Sequence, residues 1–102
     1  MKVTVYKTEK FDAAHYLPNY IGQCHRLHGH SWKVEIGVTG QIDTKTGMVL
    51  DFVHIKSAMK PILEKLDHNL LNDILELSNP TAENLAVYIF ETLENDWIQG
   101  PS

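Results

Sequence analysis

The sequence predicts an α+β domain, an antiparallel sheet with two helices packed on one of its faces. Three observations carry that expectation. The N-terminal half alternates apolar and polar residues with period two. From Asp51 the period changes to the three-to-four spacing of an amphipathic helix. The strand-like segments all come before the helical ones, an order that suits a sheet covered on one side.

The first segment, "KVTVYKTEKFDAAH", places Val3, Val5, Phe11, Ala13 and His15 on one parity and Lys2, Thr4, Thr8, Lys10 and Asp12 on the other. Such alternation describes a half-buried strand. A loop follows at "LPNYIGQ", marked by Pro18, Asn19 and Gly22. The next segment, "HGHSWKVEIGVTGQI", sets His28, His30, Trp32, Val34, Ile36 and Val38 on one face. After it "DTKTG" reads as a hairpin turn in which Gly47 supplies positive φ, and "MVLDF" as a third, returning strand.

Phe52, Ile55, Met59, Ile62, Leu63 and Leu66 form the stripe of a first helix, with Asp51 as its N-cap and a kink or break expected at Pro61. A second helix starts at "NPTAEN". Either Asn79 caps it with Pro80 at the first helical position, or Thr81 is the cap. Leu85, Ala86, Ile89, Phe90, Leu93 and Trp97 are its expected buried face.

At 102 residues the chain fits one domain, large enough to fold without a covalent staple. Its 43% hydrophobic and 22% charged content is that of a globular protein rather than a disordered one. A formal charge of −4 and a single arginine, Arg26, give no support to nucleic-acid or membrane-surface binding. One cysteine allows no internal disulfide, and no apolar run approaches a membrane span, so a cytoplasmic protein is expected.

Chemistry concentrates in "CHRLHGH", residues 24–30. Strand geometry points His28 and His30 the same way, toward the apolar face, and His15 shares the apolar parity of its own strand. Three imidazoles converging at one end of a sheet face suit a metal, zinc by default, with a position left for water or substrate. Cys24 has two readings. As a fourth ligand it would close a structural site, and as a free thiol it would stand beside an open one. His25 and His54 read as surface residues. Asp67-His68 offers a carboxylate that can orient an imidazole, although a histidine near a helix C-terminus is also ordinary capping chemistry.

In order, "FDAAH", "CHRLHGH", "GMVLDF", "LDHNLLND" and "NPTAENLA" resemble motifs of the 6-pyruvoyl-tetrahydropterin synthase superfamily, over almost the whole chain. The short spacing from Cys24 to His28 and His30 resembles its bacterial branch, the 6-carboxy-5,6,7,8-tetrahydropterin synthases of queuosine biosynthesis. The resemblance implies the tunnelling fold, a four-stranded antiparallel sheet with two helices on one face. Subunits of that fold join into a trimeric barrel, and two trimers form a homohexamer. It also implies Zn2+ on His15, His28 and His30, catalysis by Cys24 with Asp67 and His68 from a neighbouring subunit, and Thr81 and Glu83 near the pterin.

The implied reaction is carbon–carbon lyase chemistry. It converts 7,8-dihydroneopterin triphosphate to 6-carboxy-5,6,7,8-tetrahydropterin, acetaldehyde and triphosphate, with no redox cofactor. The alternatives are triphosphate elimination to 6-pyruvoyl-tetrahydropterin, or a non-catalytic zinc-stabilised module. Members of the superfamily close with a strand bearing a pterin-anchoring glutamate. The chain ends at Ser102 before such a strand, so a single domain lacking its C-terminal strand is expected.

Overall fold

The computed structural model describes residues 1–20, 22 and 25–99, with Leu75 and residues 96–99 described by backbone alone. Cys24 and the Trp97 side chain, both singled out above, lie outside the described residues. The described chain is an α+β unit built on one long hairpin. Strand β1 (Lys2–His15) pairs antiparallel with β2 (His28–Gln41), in a register running from Lys2 opposite Gln41 to His15 opposite His28. That register sets Ala13 opposite His30, so the two strand ends that carry histidines meet.

The period-two alternation sorts the faces as expected. Phe11, Ala13, His15 and Ile36 are buried on the helix-covered side, while Thr4, Thr8, Lys10, Asp12, Glu35 and Thr39 are exposed on the other. Lys7 and Glu9 share the covered parity. Their charged ends lie 3.2 Å apart, close but poorly aligned for a hydrogen bond.

Only two strands form among the described residues, which corrects two expectations, the returning strand and the four-stranded sheet. The turn after β2 is present. Asp43 Oδ1 accepts from the Lys45 and Thr46 amides at 2.7 and 3.1 Å, and Gly47 takes φ 74°. Between Gly47 and the helix cap Asp51, however, only Met48, Val49 and Leu50 remain, too few to run back along β2. That segment crosses over instead and sends half-buried Leu50 into the core.

Helix α1 (Phe52–Leu66) begins where Asp51 accepts from the Val53 amide at 2.9 Å. It buries Ile55, Met59, Ile62 and Leu66 against the sheet and continues past Pro61 without a break. Two single 3-10 turns, Leu71–Asp73 and Leu75–Leu77, lead to helix α2 (Ala82–Gln99). Of the two cap readings the structure selects Thr81, whose hydroxyl accepts from the Asn84 amide at 3.0 Å. Thr81→Ala should cost about 1 kcal/mol of stability in a denaturant titration.

The buried face of α2 is narrower than expected. Leu85 and Ile89 are buried, but Ala86 is exposed and Phe90 is 63% exposed, bordering an open groove between α2 and β2. No described helix is long and apolar enough to cross a membrane. Met59 is fully buried, in one core cluster with the equally buried Ile55, Leu66 and Leu71. Met59→Ala should therefore lower unfolding free energy by about 2–5 kcal/mol, since it removes buried methylenes and leaves a cavity.

Candidate metal centre and the Asp-His pair

The hairpin register brings His15, His28 and His30 to one end of the sheet, where one ring nitrogen from each lies within 4.8 Å of the others. Burial falls outward across the group. His15 is 5% exposed, His28 is half-buried, and His30 is exposed. The apolar-face expectation therefore holds for direction but not for the depth of His30.

Two backbone carbonyls fix the rings. The Nδ1 of His15 lies 2.7 Å from the Pro80 carbonyl oxygen, and that of His28 lies 2.7 Å from the Arg26 carbonyl oxygen. A carbonyl only accepts, so both Nδ1 atoms carry the proton, and in the neutral rings both Nε2 atoms carry lone pairs. Those two Nε2 atoms lie 3.0 Å apart. Facing lone pairs repel unless a cation or a shared proton sits between them. Two nitrogens on a tetrahedral zinc would be separated by roughly 3.3 Å, so the donor set fits such an ion. His30 completes the group. Its pKa is lowered, first by desolvation and then by repulsion from His28 and His15, which favours the neutral, ligating form.

Trp32 forms the floor. Its ring meets His15 and His30 edge-on at 5.1 and 5.4 Å, stacks on Phe11 at 6.1 Å, and its Nε1 donates to the Ala13 carbonyl at 3.3 Å. The buried Pro80, whose carbonyl holds His15, directly precedes the Thr81 cap, so the start of α2 adjoins the histidines. Glu83 is exposed in the first turn of that helix. His25 and His54 are both exposed, as expected.

Asp67 and His68 form a separate group. His68 Nδ1 lies 2.9 Å from Asp67 Oδ2. The backbone of β1 clamps both residues, with the Asp12 amide donating to Asp67 Oδ1 at 2.9 Å and the His68 amide donating to the Asp12 carbonyl at 2.6 Å. The Asp12 amide is the main reason the Asp67 carboxyl sits below the usual carboxylate range, with His68 adding to it against partial desolvation. A lowered folded pKa contributes stability above the ordinary carboxylate range, and that contribution fades as pH falls through the lowered value.

His68 is the one non-glycine residue with positive φ among the described residues, at 59°. That left-handed turn, after α1 ends, lets its amide reach Asp12 while its ring faces Asp67. His68→Gly should be about 0.5–1 kcal/mol more stable than His68→Ala in thermal melts, since both lose the imidazole and its contact with Asp67 but only alanine keeps the cost of the left-handed backbone. Equal melting temperatures for the two variants would refute the strain.

Asp12 and His15 are three residues apart on β1 and face opposite sides of the sheet, about 10 Å along an extended strand. Within one chain the histidine group and the Asp-His pair thus stay apart. Residue patterns alone missed the carbonyls of Pro80 and Arg26, the clamp at Asp12, and the packing of Trp32 under the rings. The parity of Trp32 with His28 and His30 was the one available signal.

The described residues thus form an α+β hairpin with a three-histidine group at its end that could hold a metal ion, and a separate Asp-His pair. The family model described as 6-pyruvoyl tetrahydropterin synthase matches residues 4–101, and the chain belongs to that family. A Synechocystis protein named 6-carboxy-5,6,7,8-tetrahydropterin synthase is 42% identical over 101 residues, covering 94% of this chain and 78% of that one. A Pyrococcus furiosus protein named dihydroneopterin monophosphate aldolase is 38% identical over 96 residues, covering 94% and 79%. The solved structure of Caenorhabditis elegans 6-pyruvoyl tetrahydropterin synthase superposes with a TM-score of 0.85 at 30% identity, over 93% of this chain and 79% of that one.

Proposed function

We propose that this chain is a zinc-dependent carbon–carbon lyase that converts 7,8-dihydroneopterin triphosphate and one water to 6-carboxy-5,6,7,8-tetrahydropterin, acetaldehyde and triphosphate, the pterin step of queuosine biosynthesis. The observation that carries the reading is the histidine group, with two rings held by carbonyls so that their Nε2 atoms face one point. Relatives that bear the synthase name over most of their length support the choice of reaction. When bound, zinc supplies a Lewis acid for the oxygen-bearing side chain of the substrate.

The protein's own residues do the rest. His15, His28 and His30 each bring one ring nitrogen to the site and leave its outer side open beside exposed His30. Cys24, in the connection that leads into β2, acts as the general base. His68 moves a proton while Asp67 holds its ring and balances the imidazolium charge. Because the two groups lie apart in one chain, His68 serves the histidines of a neighbouring subunit, in a cytoplasmic homohexamer of barrel-forming trimers. Thr81 and Glu83, at the start of α2 beside His15, face the pterin.

Incubation of the zinc-loaded protein with dihydroneopterin triphosphate, followed by product analysis, tests the reading. Acetaldehyde with carboxytetrahydropterin is expected. Pyruvoyltetrahydropterin as the sole product would assign triphosphate elimination instead. Turnover of the monophosphate in preference to the triphosphate would place the chain with its aldolase-named relative.

A further inference from the structure

Beyond the Asp67-His68 pair, the segment after α1 runs along the free edge of β1 like a short parallel strand. Its first rung is the His68 amide on the Asp12 carbonyl, at 2.6 Å. The second is the Ala14 amide on the Asn69 carbonyl at 3.1 Å, within a parallel bridge between Ala14 and Leu70. Beyond this bridge the chain turns into the 3-10 turn Leu71–Asp73, and the contact with β1 continues through the Asn72 side chain. Its Oδ1 accepts from the Tyr16 amide at 3.0 Å, and its Nδ2 donates to the Tyr16 carbonyl at 2.9 Å.

Tyr16 directly follows His15, whose ring is the most buried of the three imidazoles. The carboxamide therefore pins the strand end that aims His15 to the segment that carries His68. Both hydrogen bonds are part-buried, and only a group with one donor and one acceptor at this reach makes both. We propose that Asn72 is a positioning residue, which sets the placement of His15 in the metal site and of Asp67-His68 through a two-bond clamp on Tyr16. Its effect on turnover rests on the function proposed above; its effect on metal affinity does not.

The test compares Asn72→Ala and Asn72→Asp with the unaltered protein, each checked for native circular dichroism at the assay temperature. Alanine removes both bonds, while aspartate keeps the acceptor for the Tyr16 amide and loses the donor. Zinc affinity measured by chelator competition should fall about tenfold in the alanine variant, the lower end of what an outer partner of a metal ligand contributes. The aspartate variant should lose at least as much, because its second carboxylate oxygen would face the Tyr16 carbonyl across the 2.9 Å that the Nδ2 hydrogen bond now spans. With the pterin substrate, kcat should fall about tenfold at a KM within about twofold, because Asn72 orients groups without touching substrate.

A purely structural role would lower the melting temperature and leave zinc affinity and kcat of the folded variants unchanged; that result overturns the proposal. Should the alanine variant fail to fold, zinc affinity of the aspartate variant equal to that of the unaltered protein overturns it equally. If the unaltered protein does not turn over the pterin yet the variants still lose zinc affinity, the positioning role stands and the proposed reaction falls.

Discussion

His28→Ala is expected to remove zinc and turnover together. The loss of an outer partner of a metal ligand costs about 10–100-fold in affinity, and the loss of a ligand costs more, so zinc affinity should fall by over ~100-fold. His28 suits the experiment better than His15. It is half-buried at the strand end, with its Nδ1 on the nearby Arg26 carbonyl, so its removal leaves the core in place. His15 is 5% exposed, packed edge-on by Trp32 and bonded to the Pro80 carbonyl. Its removal would mix folding with ligation. Metal analysis and chelator competition read the His28 result directly. Full zinc occupancy in the His28 variant would dismiss the three-histidine site, whatever the activity.

Cys24→Ala should separate the two roles left open for the thiol. As a general base, Cys24 contributes to proton transfer alone, and its removal should lower kcat by about 10²–10⁴-fold while zinc stays bound. As a fourth ligand, its removal would release or weaken zinc, and a sulfur ligand would be visible by X-ray absorption of the resting protein. Retained turnover in the alanine variant would end the general-base assignment.

Much of this architecture was legible in the residue pattern for simple reasons. Alternation in "KVTVYKTEKFDAAH" and "HGHSWKVEIGVTGQ" sets which side chains share a sheet face, and both strands formed over those residues. Asp51 and Thr81 cap their helices through side-chain oxygens, chemistry that is local and thus readable from neighbours. The errors came where pattern cannot count space. "MVLDF" has strand composition, yet three residues between a turn and a helix cap leave no length for a ladder. Phe90 sits on an apolar stripe, but it borders an open groove between α2 and β2 and stays 63% exposed.

For "CHRLHGH" the division is the same. Parity alone determined that His28 and His30 face one way and that His15 has the matching parity on its own strand, because a strand repeats every two residues. Only the tertiary structure decided that these faces meet, since the register His15 opposite His28 depends on how the whole hairpin pairs. It also decided which nitrogen of His15 is free, through the carbonyl of Pro80, 65 residues away, while the nearby Arg26 carbonyl does the same for His28. The Asp-His pair makes the same point. Its two residues are adjacent in sequence, but their orientation comes from the backbone of Asp12, 55 residues distant from Asp67. Side-chain identity supplies the chemistry, and long-range backbone contacts aim it.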